Sequence, residues 1–189
     1  MIQKPSPSGF KVKGRSRLDI RREALKTKET ILAIMNKQTM SEVSHKDLFE
    51  HLSKLDIEYQ IIADDSDEIK QGVPAAMIRN VLIIRDSVYE GIVKNVSRDI
   101  FTLYHEIGHH ILKHERELNR GEIGQHAHYE DSEWQANAFA SEILMPLDEI
   151  LEMHNNRSIT DWTDIYAHFN VSIPSAQFRY NKLVNEGFL

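Results

Sequence analysis

The run from Ile100 to His114, Ile-Phe-Thr-Leu-Tyr-His-Glu-Ile-Gly-His-His-Ile-Leu-Lys-His, constrains this chain more than any other stretch. At its centre lies His105-Glu106-Ile107-Gly108-His109, the His-Glu-x-x-His pattern. Residues four apart on a helix share one face, so His105 and His109 can turn their imidazoles toward a single metal ion. Glu106 points about 100° further round the axis, too far to chelate easily but well placed to hold a water bound to the ion. Ile100, Leu103, Ile107 and Ile111 recur at helical spacing, which gives the same helix a face to bury.

A catalytic zinc takes three protein ligands and keeps one position open for water. The two histidines therefore call for a third ligand, and His114, His126, His128 and Glu133 are candidates. The metzincin extension would need Gly at position 112 and His at 115, whereas the chain has Leu112 and Glu115. Glu133 is the better choice, because it begins an amphipathic helix on which Glu133, Asn137, Ala140 and Leu144 share a face. Asn137 stands one turn beyond it, placed to orient a ligand imidazole. Gly108, Ala136 and Ala140 are small enough to let the two helices approach closely, offsetting the ~1 kcal/mol that a mid-helix Gly costs relative to Ala. His114 or His128 as a fourth ligand would turn the open site into a closed, structural one.

At 189 residues and 41% apolar, the chain can bury one core without staples. It has no cysteine, which excludes disulfides, thiol nucleophiles and Cys-type zinc sites and leaves His, Asp and Glu as metal ligands. Its N-terminal residues lack an apolar signal region and no stretch approaches the ~20 apolar residues of a membrane span, so a cytoplasmic protein without membrane association is expected. The net charge of −6 argues against non-specific nucleic-acid binding as its main role. Residues 1–28 nonetheless carry nine Lys and Arg against Asp19 and Glu23, a local +7 that leaves −13 for the rest. This is expected to be a solvated basic segment clinging to an acidic body.

Residues 1–16, with Pro5, Pro7, Gly9 and Gly14, read as a flexible basic arm. Residues 17–155 read as the domain that carries the His-Glu-x-x-His pattern and 156–189 as a C-terminal helical pair. Within the domain, Leu18 to Met35 is an amphipathic helix expected to fray at its arginine-rich start. A short helix follows Ser44, and strands are expected at Ile57 to Ile61, over 74–79 and at Val81 to Ile84, with a tight turn at Arg79-Asn80 in which Asn takes a positive φ. Together they predict an α+β fold, mainly helical, with a small antiparallel sheet. The acidic run from Asp64 to Glu68 lacks the spacing of an EF-hand and reads as a solvated loop. Residues 116–131 read as a long loop carrying His126, His128 and Tyr129. Helices are expected over 133–145, 147–154, 161–169 and 174–185, with Asp131 or Ser132, Thr160 and Ser172 as caps. Phe101, Trp134 and Phe139 are expected in the core.

Phe101-Thr-Leu-Tyr-His-Glu-Ile-Gly-His109, followed by Glu133-Trp-Gln-Ala-Asn-Ala-Phe-Ala-Ser-Glu-Ile-Leu-Met-Pro146, resembles the ImmA/IrrE family of zinc peptidases. The likeness is strongest over residues 80–146 and absent from the basic arm. It implies a gluzincin-like core with one Zn2+ held by His105, His109 and Glu133, and Glu106 as the catalytic glutamate. It also implies hydrolysis of a peptide bond in a protein substrate, a helix-turn-helix transcriptional repressor whose loss relieves repression. In such chemistry Glu106 accepts the proton of the attacking water and returns it to the leaving amine. A second oxyanion donor is expected from Tyr104, His110, His126, His128 or Tyr129. An extended peptide is expected to add to a sheet edge, the 73–79 run being the candidate.

Two other function classes compete. A non-proteolytic regulator would bind the repressor and keep a structural metal. A DNA-binding protein would use the C-terminal pair, which looks like a helix-turn-helix, but its second helix offers only Arg179 and Lys182 as cations, a poor phosphate grip. Packing or repressor docking is the expected role of that pair, without direct DNA binding.

Overall fold

A computed structural model describes residues 9–114, 126–156 and 158–189. The first eight residues of the expected arm and residues 116–125 of the expected long loop lie outside the described residues. The elements are α1 (Arg17–Met35), α2 (His45–Phe49), β1 (Glu58–Ile62), β2 (Ala75–Ile78), β3 (Val81–Arg85), α3 (Asp86–Val93), α4 (Ser97–Ile111), α5 (Ser132–Leu144), α6 (Leu147–Asn155), α7 (Trp162–Phe169) and α8 (Ile173–Asn185). The fold is α+β and mainly helical, with a three-stranded sheet.

The sheet is mixed, not antiparallel as expected. Its order is β1-β3-β2, with β1 parallel to β3 and β2 antiparallel to it, and with Tyr59 opposite Leu82 and Ala76 opposite Ile83. The cause is the connection over residues 63–74, which carries the chain past β3 before β2 begins. Arg85 holds that connection in shape. Its guanidinium donates to the carbonyls of Ala63, Asp64, Ser66, Ile69, Lys70 and Val73, so the acidic loop is wrapped around one buried arginine. The β2–β3 turn falls at residues 79–80, and it is Arg79 that takes the left-handed conformation (φ 58°), not Asn80. This topology leaves β2 at the edge of the sheet, lying across α4.

The first turn of α1 is held, against the expected fraying. Ser16 caps it by accepting from the Asp19 amide, and Asp19 accepts in return from the Ser16 amide, both at 3.1 Å. The arginines there are also tied to the body: Arg17 lies over the Trp134 ring, and Arg21 pairs with Glu142 and Glu186. Residues 9–16 run beside the segment leading into α5. The amides of Val12 and Arg15 donate to Glu130 and Tyr129, and the Gly9 amide donates to the Asp131 carboxylate at 2.8 Å.

The core gathers around α4 and α5, with Ile20, Ile31, Leu82, Leu103, Ile107, Phe139, Ile143 and Leu183 enclosed, while Phe101 and Trp134 pack partly buried against it. Gly108 is the point of closest approach, since a Cβ there would stand 3.0 Å from the Phe139 ring. The side chain it accommodates is Phe139, while Ala136 and Ala140 are fully buried on the same helix. In the C-terminal pair, Ser172 caps α8 and Asp161, rather than Thr160, caps α7. Arg179 is fully buried and bonds to the Glu142 carboxylate and the Met145 carbonyl, while Lys182 pairs with Glu186. Both cations are thus engaged within the fold. No helix among the described residues is long and apolar enough to cross a membrane.

Candidate metal centre

Helix α4 starts after Val96 and is amphipathic along its length, so its apolar face pins it to the core while His105 and His109 look toward α5. Helix α5 starts under an Asp131 cap, whose side chain accepts from the Trp134 amide at 2.7 Å. That cap places Glu133 in the first turn of α5, facing the two histidines.

The three side chains converge. The Nε2 atoms of His105 and His109 are 3.0 Å apart, and the Glu133 carboxylate reaches them at 3.2 and 3.5 Å. Among the described residues, His105, His109 and Glu133 form a group able to hold a metal ion. Asn137, one turn along α5, offers its Oδ1 to His105 Nδ1 at 3.0 Å. Because an amide oxygen only accepts, His105 carries a proton on Nδ1 and its Nε2 is turned to the centre of the group.

The electrostatics of the centre favour positive charge beside the Glu133 carboxylate. Burial pulls His105 down, but its hydrogen bond to Glu133 and the charges of Glu106 and Glu133 outweigh burial and raise it. The bond to His105 holds Glu133 below the usual carboxylate range. His109, buried and beside a positive His105, is pushed down to about 3. The carboxylate thus favours a cationic neighbour, and a metal cation meets the same donors.

Glu106 lies beside this group but outside it. It is 8% exposed, and burial raises it to about 7, opposed by the His105 charge and by the Met77 amide, which donates to Glu106 Oε2 at 2.7 Å. Met77 is on β2, so the outward edge of the sheet faces the glutamate. Nothing in the sequence marked that backbone contact, because it depends on how the hairpin crosses α4.

The remaining candidates are not members of this group of three. Tyr104 is fully enclosed, and its hydroxyl meets His45 Nδ1 at 3.2 Å. His110 is half-buried on α4. His126 has its Nε2 3.1 Å from the Asp131 carboxylate, His128 packs on Trp134 with ring centroids 4.7 Å apart, and Tyr129 is exposed. His114 stands behind His109, with the two Nδ1 atoms 3.0 Å apart, and bonds through Nε2 to Gln135. Gln135 was not singled out from the sequence, where a buried glutamine between two helix ends has no signature.

Comparison with curated proteins gives no match. Among solved structures, the chain is similar to a Mycobacterium tuberculosis transcriptional regulator, at 13% identity and a TM-score of 0.47, over 85% of this chain and 49% of that one. The chain thus spans about half the length of that regulator. Residues 93–181, which include both histidines, Glu106 and Glu133, match the family model described as Peptidase_M78, IrrE N-terminal-like domain. Over residues 93–181 the chain is therefore similar to the ImmA/IrrE family that this model describes.

Proposed function

We propose that this protein is a zinc-dependent endopeptidase that hydrolyses a peptide bond in a protein substrate. The observation that carries the reading is the placement of a buried carboxylate with a raised pKa, Glu106, between three convergent donors and an open strand edge. The donor set suits zinc. Separations of 3.0, 3.2 and 3.5 Å match the corners of a tetrahedron, which lie about 3.3 Å apart at zinc bond lengths of about 2.0–2.1 Å. Two imidazoles, one carboxylate and no thiol leave a fourth position for water.

A zinc ion held there supplies Lewis acidity toward water and the scissile carbonyl. The protein's own groups do the rest. Glu106 accepts a proton from the attacking water at a carboxylate oxygen and delivers it to the departing amine nitrogen. Asn137 keeps the His105 ring turned so that Nε2 faces the centre. Strand β2 pairs with β3 on one side only, so its other edge can align an extended peptide beside Glu106.

The substrate we assign is a helix-turn-helix transcriptional repressor of the same cytoplasm, and the support for that is the family relationship. The decisive pair of variants is Glu106→Gln and Glu133→Ala. Glu106→Gln retains one zinc per chain and loses cleavage by at least about 10²-fold, the scale of a general base. Glu133→Ala loses most of its zinc. Metal analysis and incubation of the wild type with proteins captured by Glu106→Gln read both. A Glu106→Gln protein that still relieves repression in cells would favour a binding regulator instead, and unchanged stoichiometry in Glu133→Ala would remove that residue from the site.

A further inference from the structure

The imidazole of His109 is governed from outside the ligand set. Gln135 is fully buried, and its Nε2 donates to two backbone carbonyls, Lys13 at 2.9 Å and Tyr129 at 2.8 Å. With both amide hydrogens so engaged, the side chain has one orientation, and its Oε1 faces His114 Nε2 at 3.0 Å. An amide oxygen accepts only, so His114 carries its proton on Nε2 and its Nδ1 is a bare lone pair. That lone pair stands 3.0 Å from His109 Nδ1. One of two nitrogens at hydrogen-bond distance must donate, and His114 Nδ1 has nothing to give. His109 therefore carries its proton on Nδ1, and its Nε2 lone pair is presented to Glu133 and His105.

The backbone is built to place this relay. Helix α4 ends at Ile111, Lys113 takes the left-handed conformation (φ 53°), and the His114 amide then bonds back to the His109 carbonyl at 3.0 Å. This turn brings a residue five positions on in sequence underneath the ligand. The other end of the relay is held by residues 12–15, whose amides at Val12 and Arg15 bond to Glu130 and Tyr129, and by Arg15 Nη2 on the Leu112 carbonyl.

We infer that His114 and Gln135 are positioning residues: a hydrogen-bond relay from the Lys13 and Tyr129 carbonyls through Gln135 and His114 holds His109 in the Nδ1–H tautomer that ligates metal through Nε2. The inference rests on the assignment of His109 as a ligand. It makes metal affinity depend on the docked N-terminal segment, because the Lys13 carbonyl sets the orientation of the glutamine.

Two measurements on the full chain test it. Long-range 15N–1H correlation spectra of the metal-free wild type should show His109 protonated on Nδ1 and His114 on Nε2; the opposite assignment at either ring overturns the relay. Competition for zinc ion against a chromophoric chelator should show His114→Leu and Gln135→Met weakened about 10–100-fold, with His114→Gln, whose Oε1 can accept from His109 Nδ1–H, close to wild type. Wild-type affinity in His114→Leu, or no rescue by His114→Gln, refutes it. If a variant does not fold, the tautomers of the wild type decide. If the wild type takes up no zinc, the metal reading fails while the tautomers still judge the relay.

Discussion

Two buried ionisable residues, Glu106 and His45, are handled differently by the fold. Glu106 is allowed to approach neutrality, at about 7, because burial disfavours its charge by more than the His105 charge and the Met77 amide support it. His45, by contrast, sits against the enclosed Tyr104 with nothing acidic to support an imidazolium, and burial pushes it down to about 4. The unfolded chain takes up that proton near pH 6.5, so between pH 6.5 and 4 the unfolded state binds more protons than the folded one. The contribution of His45 to stability is therefore complete above pH 6.5 and is lost as the pH falls through the window. The loss amounts to no more than about 3 kcal/mol. Urea unfolding across pH 4 to 7 should show this slope flattened in His45→Asn, and an unchanged slope would mean that His45 charges freely in the folded state.

Between elements, the distance from α4 to α5 sets the metal centre, since two ligands lie on one helix and the third on the other. Gly108 lies one residue before His109 and faces Phe139, with 3.0 Å available where a Cβ would stand. A β-branched side chain cannot be placed there without moving the helices apart. Gly108→Val should cost about 1–3 kcal/mol by overpacking and weaken zinc binding in parallel. Urea unfolding and chelator competition measure the two effects, and a destabilised protein with unchanged zinc affinity would show that Glu133 reaches the histidines independently of that packing. The partner of Gly108 was not legible in the sequence. Helical spacing singled out Gly108, Ala136 and Ala140 as small residues permitting a close approach, but not the ring that fills the space glycine leaves, which is Phe139.

At the scale of the whole molecule, one buried ion cluster joins the first, fifth and last helices. Glu142 on α5 is 3% exposed and accepts from Arg179 of α8 and Arg21 of α1, and Arg21 also reaches Glu186 at the end of α8. Burial opposes the Glu142 charge, but the two guanidiniums outweigh it and hold its pKa below the usual range. Removing one member leaves buried charge uncompensated. Glu142→Ala should cost about 3–5 kcal/mol in urea unfolding, and pairing Glu142→Leu with Arg179→Met should recover much of that loss. No recovery would mean that the cluster is held by Arg21 rather than Arg179. The same cluster accounts for Arg179, one of two cations that the sequence offers in the second helix of the C-terminal pair: its guanidinium is turned into the fold, because charge is visible in a sequence but its direction is not.

The local signals were sufficient for much of this protein. The His-Glu-x-x-His spacing, the Asp131 cap and the face shared by Glu133 and Asn137 are properties of single helices, where 3.6 residues per turn converts spacing into direction. Helix boundaries at α5, α6 and α8 followed from caps and proline for the same reason, while α1 was read from its apolar spacing and its Ser16 cap was not. What the chain could reveal only once folded was everything joining distant segments: the parallel pairing of β1 with β3, the Met77 amide on Glu106, Phe139 opposite Gly108, and the path from Lys13 through Gln135 and His114 to His109. Those contacts depend on how loops such as 63–74 and the turn at Lys113 return the chain, and loop geometry is decided by the packing it must satisfy.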